Sequence, residues 1–187
     1  MLESAVIARK ATPSRCQGMR RGAAVGLAVA LCCTVSASAR WTAIASTASV
    51  DEASRGIVVF SGSVASIAPS AHLPAKATLR YNLVDIIDPS AGTPVLGARF
   101  RDNGRGARVV VTLKAYDLAS ETTSTLITLD SDDSEPSQDF VGREAYNNDT
   151  LPVWDPGKFY WVEAVLTKST RTGAPALEWV FVNTAIL

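Results

Sequence analysis

The stretch that decides the fold runs from Arg99 to Asp117 and reads RFRDNGRGARVVVTLKAYD. On both sides of Asn103-Gly104, apolar residues recur at every second position, which is the spacing of β-strands. Asn-Gly is favoured in two-residue turns with positive φ, and Gly106 indicates a bulge. The stretch is therefore predicted to be a β-hairpin with these residues on its core side: Leu96, Ala98 and Phe100 in one arm, and Val109, Val111, Leu113 and Ala115 in the other.

Further strand patterns, separated by turn residues, occupy most of the remaining chain. Strands are predicted over residues 75–87, 122–130, 159–168 and 177–187, and less regular ones over 41–50 and 56–67, where Gly62 marks a bend. Residues 177–187 are apolar on both faces, so this strand is predicted to lie centrally. Residues 131–156 are polar and are predicted to form the longest loop, which either is functional or contains a short element.

No segment after residue 39 shows the apolar stripe of an amphipathic helix. Seven or eight short strands are enough for two packed sheets. The predicted fold is therefore an all-β, antiparallel two-sheet β-sandwich, formed by residues 40–187 as a single domain. The sequence does not distinguish a jelly-roll from an immunoglobulin-like topology, because the Cys-Trp-Cys spacing that would favour the immunoglobulin-like one is absent.

Residues 1–39 have the layout of a cleaved signal peptide. Basic residues precede an apolar run at residues 22–35, and the segment ends in small residues, with Ala37 and Ala39 suited to signal peptidase. The apolar run is shorter than the about 20 residues that a membrane span needs. We therefore expect cleavage before Arg40, no membrane span after cleavage, and a secreted or periplasmic mature chain.

Composition narrows the possible partners of the mature chain. The predicted cleavage before Arg40 removes all three cysteines, Cys16, Cys32 and Cys33, so no disulfide is expected in the mature chain. Cleavage also removes five basic residues and one acid, which leaves 13 Lys and Arg against 17 Asp and Glu, a net charge of −4. A mildly acidic chain has no electrostatic basis for binding nucleic acid, so no such partner is expected.

Residue types that usually carry catalysis are scarce. His72 is the only histidine, and no Gly-x-Ser-x-Gly motif accompanies it, so neither a Ser-His-Asp site nor a zinc site is indicated. Paired carboxylates remain open, and the acids that might converge are Asp85, Asp88, Asp117, Glu163 and Glu178. Glu163 is the catalytic candidate, because desolvation among Phe159, Trp161 and Val165 would raise its pKa toward that of a general acid. The alternative is an exposed acid on the solvent face of its strand.

Acidic residues are densest at the start of the predicted long loop. Asp130, Asp132, Asp133 and Glu135 are candidate calcium ligands, since calcium takes six to eight oxygen ligands from flexible loops. Their spacing does not fit an EF-hand, and a solvated acidic loop is the alternative. We expect no cofactor, with structural calcium as the alternative.

Two surface features suggest a binding role. Phe159, Trp161 and Tyr160 are candidate binding residues. Alternation places Phe159 and Trp161 on one outer strand face, where large aromatic side chains usually mark a contact site, and Tyr160 on the opposite face. Several basic residues are also predicted to lie with Tyr116 on the solvent-exposed face of one sheet: Lys76, Arg80, Arg99, Arg101, Arg108 and Lys114. They indicate either protection of sheet edges or an anionic polymer as partner.

The sequence therefore predicts an exported, non-catalytic β-sandwich module with a binding or structural role at the cell surface or outside the cell. A polysaccharide or cell-surface polymer is the expected partner. Two alternatives stay open: a secreted carbohydrate-active hydrolase that uses paired carboxylates, and a calcium-stabilised module.

Overall fold

A computed structural model describes residues 40–83, 93–146 and 155–185. The predicted signal peptide and most of the predicted turn at residues 88–94 lie outside the described residues. Within the described ranges, no helix has the length and hydropathy needed to cross a membrane.

The described residues form eleven β-strands and no α-helix. The strands are β1 (Arg40–Ile44), β2 (Ser49–Val50), β3 (Val58–Ser61), β4 (Val64–Ile67), β5 (Ala75–Asn82), β6 (Thr93–Asp102), β7 (Ala107–Asp117), β8 (Thr122–Asp130), β9 (Ser137–Tyr146), β10 (Lys158–Lys168) and β11 (Ala176–Ala185). Short 3₁₀ turns lie at Ala45–Thr47, Glu52–Ser54 and Ser131–Asp133.

The strands form two antiparallel sheets. One has five strands in the order β2-β5-β10-β7-β8, and the other has the order β3-β4-β11-β6-β9, with β1 also paired to β11. The predicted all-β, two-sheet sandwich is confirmed. The terminal strand β11 is central as predicted, because it pairs with β6 on one side and with both β4 and β1 on the other.

The core lies between the two sheets and follows from the period of two along each strand. In β7 and β10, every second residue is buried, from Val109 to Ala115 and from Val162 to Leu166. The facing sheet contributes Leu96 and Val180 to the same cluster. Each of the three predicted strands β5, β7 and β10 therefore presents one apolar face to the core and one face to solvent.

The predicted hairpin around Asn103-Gly104 is wrong, although both of its arms are strands. β6 belongs to the six-stranded sheet and β7 to the five-stranded sheet, so the turn crosses from one sheet to the other. Positive φ occurs at Gly104, Arg105 and Gly106, and not at Asn103. The Asn103 side chain instead donates to the carbonyl of Thr172 (2.9 Å) and accepts from the amide of Ala174 (2.8 Å), which ties this turn to the β10–β11 loop.

The expectation for residues 56–67 was wrong, because they are not one bent strand: Gly62, at φ 60°, begins the two-residue turn of the β3–β4 hairpin.

The predicted loop at residues 131–156 contains an additional element, which was one of its two stated alternatives. This element is β9, a ten-residue strand at the edge of the six-stranded sheet. Edge strands are often polar, so the pattern of β9 resembles that of a loop.

Candidate functional site

The outer surface of the five-stranded sheet brings the predicted aromatic residues together with charged ones. We call it the Phe159 face and define it by Phe159, Trp161 and Glu163 of β10, Lys114 and Tyr116 of β7, and Arg80 and Asn82 of β5. These positions alternate with the buried residues of the same strands, so their side chains point away from the core.

The aromatic residues of this face are neighbours across the sheet. Phe159 pairs in register with Tyr116, and Trp161 lies between Lys114 on one side and Asn82 on the other. Phe159 is 63% exposed, which makes it the most exposed large apolar residue of the described chain. Side chains opposite each other in an antiparallel pair lie about 5 Å apart at Cβ. The three aromatic residues therefore occupy neighbouring positions on one outer sheet surface, with Asn82 and Lys114 beside them.

Trp161 keeps a free hydrogen-bond donor. Its indole Nε1 is buried and has no hydrogen-bond partner. A buried donor without a partner costs roughly 1–3 kcal/mol, so such groups are exceptional in native proteins. A ligand or water at the Phe159 face can accept from this N–H only after the atoms that cover it move.

Tyr160 lies on the opposite side of β10 from Phe159 and Trp161. It packs against the core, and its hydroxyl accepts from the backbone amide of Asp155 at 2.7 Å. Burial raises the pKa of Tyr160. The structure thus unites two of the three predicted aromatic binding residues and separates the third, as the period of two along a strand requires.

Glu163 lies at the centre of an ion-pair network. Its Oε2 lies 2.9 Å from Nε of Arg80 and its Oε1 lies 2.6 Å from Nζ of Lys114. Burial acts to raise the pKa of Glu163, but the hydrogen bonds from Lys114 and Arg80 outweigh it, and the pKa lies below its usual value. The expectation of a raised pKa is therefore wrong: the sequence showed the aromatic neighbours of Glu163 but not the two cations on adjacent strands.

The other acids considered for catalysis lie away from Glu163. Glu178 points outward from the six-stranded sheet, where its Oε2 lies 2.8 Å from Nη1 of Arg99. Asp117 lies at the end of β7, five residues from the strand position that pairs with Glu163, and this separation is roughly 17 Å. Its carboxylate accepts from the amides of Ala119 and Ser120 in the β7–β8 turn. Asp85 and Asp88 lie outside the described residues.

The acidic segment after β8 is organised by Arg108. Asp130 accepts from Nε of Arg108 at 3.0 Å and caps the 3₁₀ turn by accepting from the amide of Asp132 at 3.1 Å. The hydrogen bond from Arg108 lowers the pKa of Asp130. Asp133 and Glu135 are exposed. In the part of the chain that the structure describes, no group of three or more His, Cys, Asp or Glu residues is arranged to hold a metal ion. Calcium binding by this segment remains an untested alternative to the expected solvated loop.

His72 is exposed in the loop between β4 and β5. It borders a surface depression with Pro69, Ser70 and Arg171, and none of the described residues that line this depression carries a carboxylate. The arrangement supplies a serine and a histidine but not the acid that would orient the imidazole.

The predicted gathering of cations on one sheet is wrong. Lys76, Arg80, Arg108 and Lys114 belong to the five-stranded sheet, whereas Arg99 and Arg101 belong to β6 of the other sheet. The prediction assumed that β6 and β7 pair with each other. Most of these cations also contact carboxylates, which the sequence pattern did not reveal.

Sequence reasoning missed Asn82 as a member of the Phe159 face. The alternation along β5 puts Asn82 on the solvent-facing side, but nothing in the local pattern shows that β5 lies next to β10. The pairing of Trp161 with Asn82 is a long-range contact, so only the sheet order reveals it.

No protein-family model matches the chain, and no curated protein is significantly similar in sequence. Among solved structures, the chain is similar to a xylan-binding module, CBM15, with 9% identity and a TM-score of 0.44 over 68% of this chain and 82% of that one. It is also similar to the CBM36-1 domain of a multidomain xylanase from the hindgut metagenome of Trinervitermes trinervoides, with 13% identity and a TM-score of 0.43 over 80% of this chain and 100% of that one.

A third similar structure is a family two carbohydrate esterase from Cellvibrio japonicus, with 12% identity and a TM-score of 0.42. The match covers 79% of this chain but only 34% of the esterase. All three TM-scores lie below 0.5, so the function of this chain has to be inferred from its own residues.

Proposed function

We propose that the chain is an exported, non-catalytic β-sandwich module that binds polysaccharide through the Phe159 face. The observation that carries this proposal is the exposure of Phe159 beside Tyr116 and Trp161 on one outer sheet surface. Exposed aromatic side chains on a rigid sheet offer an apolar surface for the C–H faces of sugar rings at little cost in conformational entropy.

Polar groups at the border of the aromatic surface support the same ligand class. Asn82 offers an exposed amide, and Lys114 offers a partly exposed ammonium group. Sugar hydroxyls can accept from both donors, and the C–H faces of sugar rings can stack on Phe159. A ligand with both apolar faces and many hydroxyls fits this combination better than a purely apolar one.

A carboxylate hydrolase is the second candidate, and the contacts of Glu163 argue against it. General-acid catalysis near neutral pH needs a raised pKa, whereas Arg80 and Lys114 hold the pKa of Glu163 below its usual value. Retaining and inverting glycosidases also need a second carboxylate within about 10 Å. Within the described residues, the contacts of the Glu163 carboxylate are to cations.

A screen against neutral polysaccharides, scored for both retention and release of reducing ends, tests the proposal. Phe159→Ala and Trp161→Ala should each weaken retention by about tenfold or more, because aromatic residues at the centre of a contact surface dominate binding. Glu163→Gln tests the hydrolase alternative, through its effect on the release of reducing ends. Phe60→Ala is the matched control, since Phe60 is an exposed aromatic residue on β3 of the other sheet.

If the unaltered protein releases reducing ends and Glu163→Gln abolishes this activity, the result would support the hydrolase instead. Retention that Phe60→Ala weakens as much as Phe159→Ala would show that binding is not specific to the Phe159 face. Thermal melting of each variant separates lost binding from lost folding.

A further inference from the structure

We propose that Glu163 determines the ligand class of the Phe159 face, by holding Arg80 and Lys114 so that the face accepts uncharged polysaccharide and rejects anionic polymers. This inference rests on the proposed polysaccharide-binding function. It goes beyond it by giving Glu163 a role in specificity and by predicting a gain of binding when Glu163 is replaced.

The geometry places one carboxylate between two cations. Arg80 on β5, Glu163 on β10 and Lys114 on β7 belong to three adjacent strands, with β10 in the middle. Each oxygen of Glu163 contacts a different cation, at 2.9 and 2.6 Å. Both cations nearest the aromatic residues are therefore engaged within the protein.

Exposure explains why this network controls the surface potential. The side chain of Glu163 is only 13% exposed, while those of Arg80 and Lys114 are 53% and 23% exposed. A ligand on this surface meets the two cations more readily than the carboxylate beneath them. The buried negative charge lowers the positive potential of both without forming a repulsive patch of its own.

Elsewhere on the outer surface of this sheet, the described residues include two further cations, Arg108 on β7 and Lys76 near the start of β5, four residues before Arg80. Arg108 is engaged by Asp130 and Asp132 at the other end of β7. Of the four cations on this surface, three thus contact carboxylates, and these are Arg80, Arg108 and Lys114. A polyanion that binds Arg80 or Lys114 competes with Glu163 for these cations, whereas an uncharged glycan does not.

Dextran sulfate and unsulfated dextran, each immobilised on the same matrix, provide the test, because the two polymers differ in charge and share a backbone. The unaltered protein should not be retained by dextran sulfate. Glu163→Gln should be retained at least roughly fivefold more strongly at low salt, which is about the worth of one basic side chain at an anionic surface. High salt should remove the gain by screening.

Glu178→Gln is the matched control, because it removes the same charge from an ion pair on the opposite sheet. It should gain no retention. Adding Arg80→Gln to Glu163→Gln should remove most of the gain, since it deletes one of the two released cations. Melting curves establish that each variant is folded, and retention on the neutral polymers of the screen shows whether its aromatic surface is intact.

Folded Glu163→Gln protein that dextran sulfate does not retain would overturn the inference, and so would an equal gain in Glu178→Gln. Neither result affects retention of neutral polymers, which alone decides the proposed function. Conversely, a specific gain in Glu163→Gln without any neutral retention would support the role of Glu163 in charge selection and refute polysaccharide binding by the unaltered face.

Discussion

Replacing Gly106 with Val is expected to destabilise the protein by about 3 kcal/mol or more. Gly106 has a φ of 81°, which a β-branched residue tolerates badly. A Cβ at this position would also lie 2.3 Å from Oγ of Ser169 and 2.8 Å from Cγ2 of Thr170. Ser169 donates from its amide to the Gly106 carbonyl at 2.7 Å, so the two loops cannot separate without losing this contact. Urea denaturation measures the change.

Gly62→Val is the control that isolates backbone strain from the clash. Gly62 has a similar positive φ of 60°, but a Cβ there would meet nothing within 4 Å. We expect a cost of about 1–2 kcal/mol at Gly62, clearly less than at Gly106. Equal losses of stability at the two glycines would show that Gly106, in the β6–β7 turn, does not contact Ser169 and Thr170 of the β10–β11 loop.

Gly97→Val is expected to cost about 2–3 kcal/mol. The Phe181 ring lies over Gly97 on the outer side of the six-stranded sheet, and a Cβ on Gly97 would lie 2.1 Å from Cε1 of that ring. Phe181 is only 6% exposed, and it contacts Trp179 at a centroid distance of 5.6 Å and Arg40 at 4.4 Å. The new side chain must displace a packed ring, which loses these contacts.

Two comparisons make the Gly97 result specific. Gly142 lies on the neighbouring strand β9, and a Cβ added there would lie 3.9 Å from Trp179, which is an ordinary contact. We therefore expect Gly142→Val to change the free energy of unfolding by no more than about 0.5 kcal/mol. In a Phe181→Ala background, Gly97→Val should cost much less than it does alone, because the ring is gone. Additive costs in this double-mutant cycle would contradict the packing of Phe181 over Gly97.

Strands with one apolar face were predictable because their pattern is local. β8 and β10 follow their predicted bounds closely, and β5 begins at the predicted residue but ends at Asn82, shortly before residues that the structure does not describe. The core sides of β7 and β10 are those that the alternation indicates. The partner of each strand is not a local property. The residues around Asn103-Gly104 specify two strands and a turn, but they do not determine whether the strands pair with each other or enter different sheets.

The candidate site could be predicted only in part, for the same reason. Alternation along β10 placed Phe159, Trp161 and Glu163 on one face and Tyr160 on the other. The electrostatics of Glu163 depend on Arg80, which is 83 positions earlier in the chain, and on Lys114, which is 49 positions earlier. Because the sequence does not reveal that β5 and β7 flank β10, it indicated the wrong direction for the pKa of Glu163.

Nuclear magnetic resonance of the isotope-labelled protein tests the central claim most directly, by locating the bound sugar. A neutral oligosaccharide chosen from the screen is titrated while the backbone amides and the indole N–H groups are observed. We predict that the indole resonance of Trp161 moves together with the amides of residues 114–116 and 159–163, while Trp179 and Phe181 on the opposite sheet stay unchanged. Shifts confined to the six-stranded sheet, or no shift with any oligosaccharide derived from a retained polymer, would contradict polysaccharide binding at the Phe159 face.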